Sequence, residues 1–459
     1  MNKLKKLFAP VDMTAGRPWE DILIFTIPML IGNIAQQLYN TVDSIVVGRF
    51  VGDNALAAVG SAGPILNLLI VLFVGISVGA SIMVSQYLGA RNREALSGTI
   101  GTCIVLTAIA SLIIMVVATL VARPLLELLN TPETILDWCT SYLRILFLGA
   151  AGLAFYNILS GVLRGLGDSM SALLYLLVAS GLNIVLDLLF VVKFGMGVNG
   201  VALATAIAQG ISAILCVRRL SKLTELFDLK WKYIRLNKHH AGNIIRLGVP
   251  SGVTQAMISM AMLIVQSLTN SFGEQFIAAN VITMRVDGFA MLPNMSFGNA
   301  MTTYAGQNVG ANQYERVAKG AKQGLFMGVG TSAVITGLIL IFGKPLMGIF
   351  TSTSELVDLS YHLMQILAVG YLVMSVTQVL SGIMRGAGDT MTPMWISIVQ
   401  TIVIRVPLAY LLVYASRSAA FPQGKREYIY LSLVISWVIG ALITTFFYKR
   451  GKWKTKAIK

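Results

Sequence analysis

Four polar residues at steps of three and four, Asn33, Gln36, Asn40 and Asp43, mark one stripe of an apolar stretch, "PMLIGNIAQQLYNTVDSIVVG". Spacing of this kind places them on one face of a helix. A second stretch, "SGLNIVLDLLFVV", puts Asn183 and Asp187 at i and i+4, again on one face. Asn157 and Thr205 lie in neighbouring apolar stretches and add neutral oxygens. Two carboxylates surrounded by amide and hydroxyl oxygens in a dry setting suit a small hard cation, or one proton shared between two acids. The alternative chemistry is mutual structural hydrogen bonding.

The surroundings of these residues are those of a bilayer. The chain has 459 residues, of which 56% are hydrophobic and 12% charged, with a mean hydropathy of +0.75, too apolar for a soluble globular domain. A carboxylate deep in such a span costs about 2.5–3.5 kcal/mol on insertion scales. Asp43 and Asp187 therefore need partners, water or a bound cation. About twelve spans are expected, at 22–47, 62–88, 100–121, 138–163, 171–192 and 198–217, then 244–271, 277–305, 321–342, 357–384, 391–414 and 428–448.

Lys and Arg alternate between the two ends of these spans. One side holds Lys3, Lys5, Lys6, Arg17, Arg91, Arg93, Arg164, the segment from Arg218 to Arg246, Arg316, Lys319, Lys322, Arg385 and Lys449 to Lys459. That side is read as cytoplasmic, with both termini inside. The net charge of +15 is explained by this topology, since the basic residues adjoin spans and form no separate nucleic-acid-binding domain. Polar residues interrupt the stretch after Lys6, so no cleaved signal is expected. Cys103, Cys139 and Cys216 have no metal-ligand spacing and are expected to pack. The three histidines, His239, His240 and His362, are read as solvated or packed.

The chain is also duplicated. "LSGVLRGLGDSM" from Leu159 returns as "LSGIMRGAGDTM" from Leu380, 221 residues later, and Gln86, Gly89 and Ala90 return in the same register as Gln307, Gly310 and Ala311. Six spans per half make the repeats parallel, an arrangement in which two lobes enclose a central cavity. The lobes are expected at 1–217 and 244–459, joined by a basic linker at 218–243. Each copy of the repeated phrase ends one long helix and precedes another. Gly165, Gly167, Gly386 and Gly388 are read as hinge glycines, and Arg164 with Asp168 and Arg385 with Asp389 as clasps of the turns. Pro28, ahead of the polar stripe, permits a kink. No phosphate-binding loop, metalloprotease motif or nucleophile elbow occurs, which leaves ATP-driven or enzymatic action without a motif.

The halves differ where it matters. In the shared register Asp43 maps to Ile264 and Asp187 to Leu408, so the acids belong to one half only. The second half supplies neutral groups, Gln255, Gln266, Asn270, Asn280 and Gln378, and the exceptions Arg285, Asp287 and Arg405 are read as an inter-helix ion pair. Met257, Met260, Met262, Met284, Met291 and Met295 offer flexible thioethers to an apolar cavity.

The opening "IPMLIGNIAQQLYNTVDSIVVGRFVGDNALAAVG" and the "LRGLGDSM" and "MRGAGDTM" pair resemble the multidrug and toxic compound extrusion (MATE) family over nearly the whole chain. The resemblance implies an all-α polytopic membrane protein of about twelve spans in two parallel six-helix repeats around a central cavity. It implies an exporter, not an enzyme, that exchanges Na+ or H+ for a small organic compound, often cationic and amphipathic, with no other cofactor. The DinF-like branch implies a cation site at Asp43, Asn183, Asp187 and Thr205, with Gln36, Tyr39, Asn40 and Asn157 nearby. A substrate cavity would then involve Gln255, Met257, Met260, Gln266, Asn280, Met284 and Met291. The NorM-like acid on the seventh helix is missing from "VPSGVTQAMISMAMLIVQSLTN". A monomer in the cytoplasmic membrane is expected. The alternative is a flippase for lipid-linked sugars or a narrow-substrate exporter of the same superfamily, for which Arg144, Arg285 and Arg405 would be the cavity cations.

Overall fold

A computed structural model describes residues 9–129 and 131–458, apart from the side chains of residues 43–45, 48, 53, 54 and 56. Lys3, Lys5 and Lys6 lie outside the described residues, as does the side chain of Asp43. Among the described residues the regular structure is entirely helical. The helices are α1 Pro18–Phe50, α2 Asp53–Gly89, α3 Arg93–Leu128, α4 Glu133–Leu148, α5 Ala150–Gly165, α6 Ser169–Asp187 and α7 Gly197–Lys222. They continue as α8 Lys238–Asn270, α9 Glu274–Gly310, α10 Tyr314–Gly348, α11 Ser354–Gly386, α12 Met391–Ile398, α13 Val406–Ala415 and α14 Tyr428–Arg450.

Among the described residues eleven helical segments are long and apolar enough to cross a membrane, and the pair α4 and α5, taken as one span, makes a twelfth. That pair departs from the continuous span expected at 138–163. It bends by 52° at Gly149, where α5 runs so close to α7 that a Cβ on Gly149 would lie 2.5 Å from Ala206 Cβ, and one on Gly152 would lie 2.7 Å from Gly210 N. The longest helices, α2 and α9, have 37 residues each. At 1.5 Å per residue they measure about 55 Å, so they extend past a hydrocarbon core of about 30 Å. Leu120, Phe326 and Ile341 are 71%, 82% and 72% exposed. In water, surface of this kind drives association, whereas lipid solvates it.

Two compact units divide the chain, Met1–Asp12 with Ile27–Gly252, and Met13–Thr26 with Val253–Lys459. In the first unit, the opening turns of α8 cross α2 at glycines: a Cβ on Gly79 would lie 2.2 Å from the Ile244 carbonyl, and one on Gly248 would lie 2.4 Å from the Gly75 carbonyl. The core of the second unit includes Phe276, Met347, Leu363, Leu367, Tyr371 and Trp437. There the chain before α1 is strapped down by Arg316. Its guanidinium donates to the carbonyls of Met13 at 3.0 Å, Gly16 at 2.9 Å and Ala15 at 2.6 Å, and to Asp21 Oδ2 at 2.9 Å. Arg93 does the same for the chain before α8 in the first unit, donating to the Thr224 and Glu225 carbonyls and to Asp228.

The repeated phrase folds alike in both copies. Gly161 and Gly165 seat α5 on Ser77 and Ser81 of α2, and Gly382 and Gly386 seat α11 on Gly298 and Thr302 of α9; a Cβ at any of the four would meet a backbone carbonyl at 2.2–2.8 Å. This is small-xxx-small packing, which lets backbones touch where hydrophobic drive is absent. Gly167 and Gly388 take φ of +85° and +95°, the left-handed conformation that ends a helix and that glycine adopts without strain. Gly165 and Gly386 are thus contact residues and Gly167 and Gly388 turn residues. The expected Arg/Asp clasps do not form. Asp168 pairs with Arg219 of α7 at 2.7 Å and caps α6 through Ser171 N at 3.0 Å. Asp389 hydrogen-bonds Thr392 N and Oγ1 at the start of α12. An acid directly ahead of a helix satisfies the orphan first-turn N–H groups better than it reaches a residue on the preceding helix.

Candidate functional site

Two spans of the first unit meet at buried polar groups. Asn183 and Asp187 lie on the last turns of α6, each 1% exposed, and Thr205 faces them from α7. The Asn183 amide turns its nitrogen to Asp187 Oδ2 at 2.8 Å and its oxygen to Thr205 N and Oγ1, both at 3.1 Å. This orientation matches donor to acceptor on both sides of the amide, since the reverse would set an amide oxygen against a carboxylate. Asp187 is the last α-helical residue before a π-helical turn, Leu188–Lys193. Such turns are rare and recur at functional sites. The three residues thus form one hydrogen-bonded chain of carboxylate, amide and hydroxyl, able to hold a proton or offer oxygens to a cation.

The remaining candidates are more dispersed. At Gly32 a Cβ would lie 3.5 Å from the Leu173 and Leu176 side chains of α6, so α1 approaches the helix carrying Asn183 and Asp187 at this point. On the polar stripe of α1, Gln36 and Tyr39 are half-buried and Asn40 exposed. Asp43 follows in the same helix. Asn157 donates instead to the Leu153 carbonyl of its own helix at 2.8 Å. Pro28 sits inside α1, which runs through it as helix.

In the second unit, Gln255 and Met260 are exposed and Met257 half-buried. Gln266 donates to Asn270 Oδ1 at 2.7 Å. Asn280 is buried and accepts from the Tyr430 hydroxyl at 2.5 Å while its nitrogen faces Met284 Sδ at 3.6 Å. Met291 packs against the core. No ion pair joins Arg285, Asp287 and Arg405 among the described residues. Asp287 accepts from the Tyr371 hydroxyl at 2.7 Å, Arg285 is exposed, and Arg405 Nε is buried without an acceptor. Arg405 closes a π-helical stretch, Val399–Arg405, just ahead of Pro407, whose missing N–H and bulky ring disturb the regular ladder. Tyr371 and Tyr430, the groups that satisfy Asp287 and Asn280, were not singled out by sequence, because a tyrosine in an apolar run carries no positional signal.

A family model described as MatE matches the chain twice, at residues 28–189 and again at 250–411. The chain belongs to the MATE family. The double match coincides with the internal repeat and takes in α6 of the first copy. Among curated proteins, this MATE chain is 29% identical over 449 residues to the probable multidrug resistance protein YpnP of Bacillus subtilis, covering 96% of this chain and 97% of that one. It is 29% identical over 401 residues to the probable multidrug resistance protein YoeA of the same organism, covering 86% and 87%. Its fold matches a solved outward-facing multidrug resistance MATE family transporter of the MOP superfamily with a TM-score of 0.89 at 25% identity, covering 96% and 97% of the two chains. The protein is thus a multi-pass membrane transporter of the multidrug efflux family.

Proposed function

We propose that this MATE transporter is a secondary active antiporter that exports organic, often cationic and amphipathic, compounds in exchange for Na+ or H+. Coupling takes place in the N-terminal half, at Asp43, Asn183, Asp187 and Thr205. The observation that carries this proposal is the buried chain Asp187–Asn183–Thr205, set at a π-helical turn inside an apolar bundle. A buried carboxylate is expensive in hydrocarbon and is retained where it binds or moves charge. Cation or proton entry at these groups changes the charge beside α1. A ligand at that site shifts the transporter between states only by binding one state more tightly than the other. Gln36, Tyr39 and Asn40 extend the polar stripe from which α1 senses that change. The names of the curated relatives support the substrate class. We place the protein in the cytoplasmic membrane with both termini inside, as the Lys and Arg distribution predicts, and take it to act as a monomer.

The test is efflux of a fluorescent cationic dye from proteoliposomes under a Na+ gradient and, separately, a pH gradient. Dye movement under one gradient names the coupling ion. Dye movement under neither, in protein that retains its fold, rejects the proposal.

A further inference from the structure

The chain between the two halves is built into the first unit and leaves a cavity beside itself. Besides the contacts of Arg93, Ser97 Oγ accepts from Asp228 N at 2.9 Å and Thr102 Oγ1 donates to the Arg235 carbonyl at 3.2 Å. A Cβ on Gly101 would lie 2.0 Å from the Tyr233 carbonyl, so the linker backbone rests directly on α3. Next to this contact is a cavity of about 320 Å³ lined by Asn92, Glu94, Gly98, Arg235, Asn237 and His240, among others. Its volume falls at the lower end for small-ligand sites.

The cavity is richer in donors than in acceptors. Asn92 Oδ1 is spent on Ala95 N at 3.0 Å and Asn237 Oδ1 on His239 N at 2.9 Å, which leaves both amide nitrogens for a ligand. Arg235 makes no ion pair among the described residues, and its guanidinium adds a fork of donors. His240 Nδ1 faces Thr99 Oγ1 at 3.2 Å. That hydroxyl also donates to the Ala95 carbonyl at 2.8 Å, and His240 Nε2 points towards Gly98, where a Cβ would lie 3.1 Å from it. The opposing group is the single carboxylate of Glu94. Lys230, Lys232 and Lys238 belong to the same linker segment, and Trp231 between the first two is 86% exposed. A bare indole flanked by lysines suits the boundary between lipid and water.

We infer that this cavity is a binding site for a phosphate ester, held by Arg235 and by the amide nitrogens of Asn92 and Asn237, with Glu94 as the group that weakens it. Arg meets phosphate through paired charge-assisted hydrogen bonds. The ligand is either an anionic lipid headgroup or a soluble phosphate ester.

Two probes separate these sources for full-length protein in phosphatidylcholine nanodiscs. Glycerol 3-phosphate is titrated by calorimetry, and phosphatidate added to the nanodiscs is followed by native mass spectrometry. The inference expects one probe to bind wild type, Arg235→Gln to weaken it by about tenfold, and Glu94→Gln to tighten it. Gly98→Leu, which fills the cavity, abolishes it. Binding of glycerol 3-phosphate assigns a soluble ester; retention of phosphatidate alone assigns a lipid headgroup. The tightening by Glu94→Gln is a result that a merely structural cluster would not give. Failure of both probes with wild-type protein overturns the inference, as does binding that none of the three variants alters. Dye efflux of the same variants serves as the control for folding.

Discussion

Replacing Asn183 by Leu keeps the branched heavy-atom skeleton of the side chain but removes the amide between Asp187 and Thr205. Three hydrogen bonds are lost. The one to Asp187 Oδ2, at 2.8 Å, involves a charged acceptor when the acid is ionised and is worth about 1.5–3 kcal/mol; the neutral ones from Thr205 N and Oγ1 are worth about 1 kcal/mol each. If this bridge holds Asp187 in its working geometry, the first loss alone slows gradient-driven transport by roughly ten- to a hundredfold, at about 1.4 kcal/mol per decade. Thr205→Val removes only the hydroxyl donor and retains Thr205 N–H, so its effect stays at about fivefold. Asp187→Asn removes the charge itself and abolishes coupling. The assay is initial-rate dye efflux from proteoliposomes under the driving gradient, normalised to reconstituted protein and accompanied by thermal unfolding in detergent. The expected order of damage is Asp187→Asn, then Asn183→Leu, then Thr205→Val. A Thr205→Val variant slower than Asn183→Leu, or an Asn183→Leu variant at the wild-type rate, would refute the reasoning.

The packing glycines give a second prediction. Gly165→Ala and Gly386→Ala place a methyl 2.7 Å and 2.2 Å from backbone carbonyls and should each cost about 1–3 kcal/mol, whereas Gly181→Ala, with open space around it, should stabilise α6 by up to about 1 kcal/mol; thermal unfolding in detergent separates them. Arg316→Gln loses the fork that holds Met13, Ala15, Gly16 and Asp21, and hydrogen exchange of backbone amides in the 13–21 segment should accelerate by about tenfold or more. Asp228, hydrogen-bonded by Arg93, is held below the ordinary carboxylate range. Its contribution to linker docking is therefore complete above the unfolded carboxylate value, near 4, and is lost as pH falls through the lower folded value. Linker proteolysis should rise only in that acid window, and Arg93→Gln should remove the pH dependence.

Much of this protein is legible in one sequence, for reasons that differ by feature. Span positions follow from apolar length, because a bilayer imposes a fixed thickness on every helix. The halves are visible because Gly161, Gly165, Gly382 and Gly386 of the repeated phrase each meet a backbone carbonyl, a contact that admits no larger residue. Asn183, Asp187 and Thr205 come together as their spacing on two consecutive spans suggests. Departures arise where local geometry is set by a neighbour in space. The bend at Gly149 depends on Ala206, 57 residues away in the chain. The partner of Asp168 is Arg219, on a helix whose proximity a turn motif does not encode. No salt bridge joins Asp287 and Arg405 among the described residues, and the hydrogen bond to the acid comes instead from Tyr371 on α11. The linker, which reads as a basic tether, is instead docked on α3 through Gly101 and Thr102.

The most direct test of the central proposal reverses the exchange. Proteoliposomes loaded with a cationic substrate dye, and with no imposed ion gradient, are diluted into dye-free medium, and inward movement of 22Na+ or of protons is recorded. Export of dye by an antiporter coupled at Asp187 predicts ion uptake in wild type that depends on the dye gradient and is absent in Asp187→Asn. Ion uptake that persists unchanged in Asp187→Asn would contradict it.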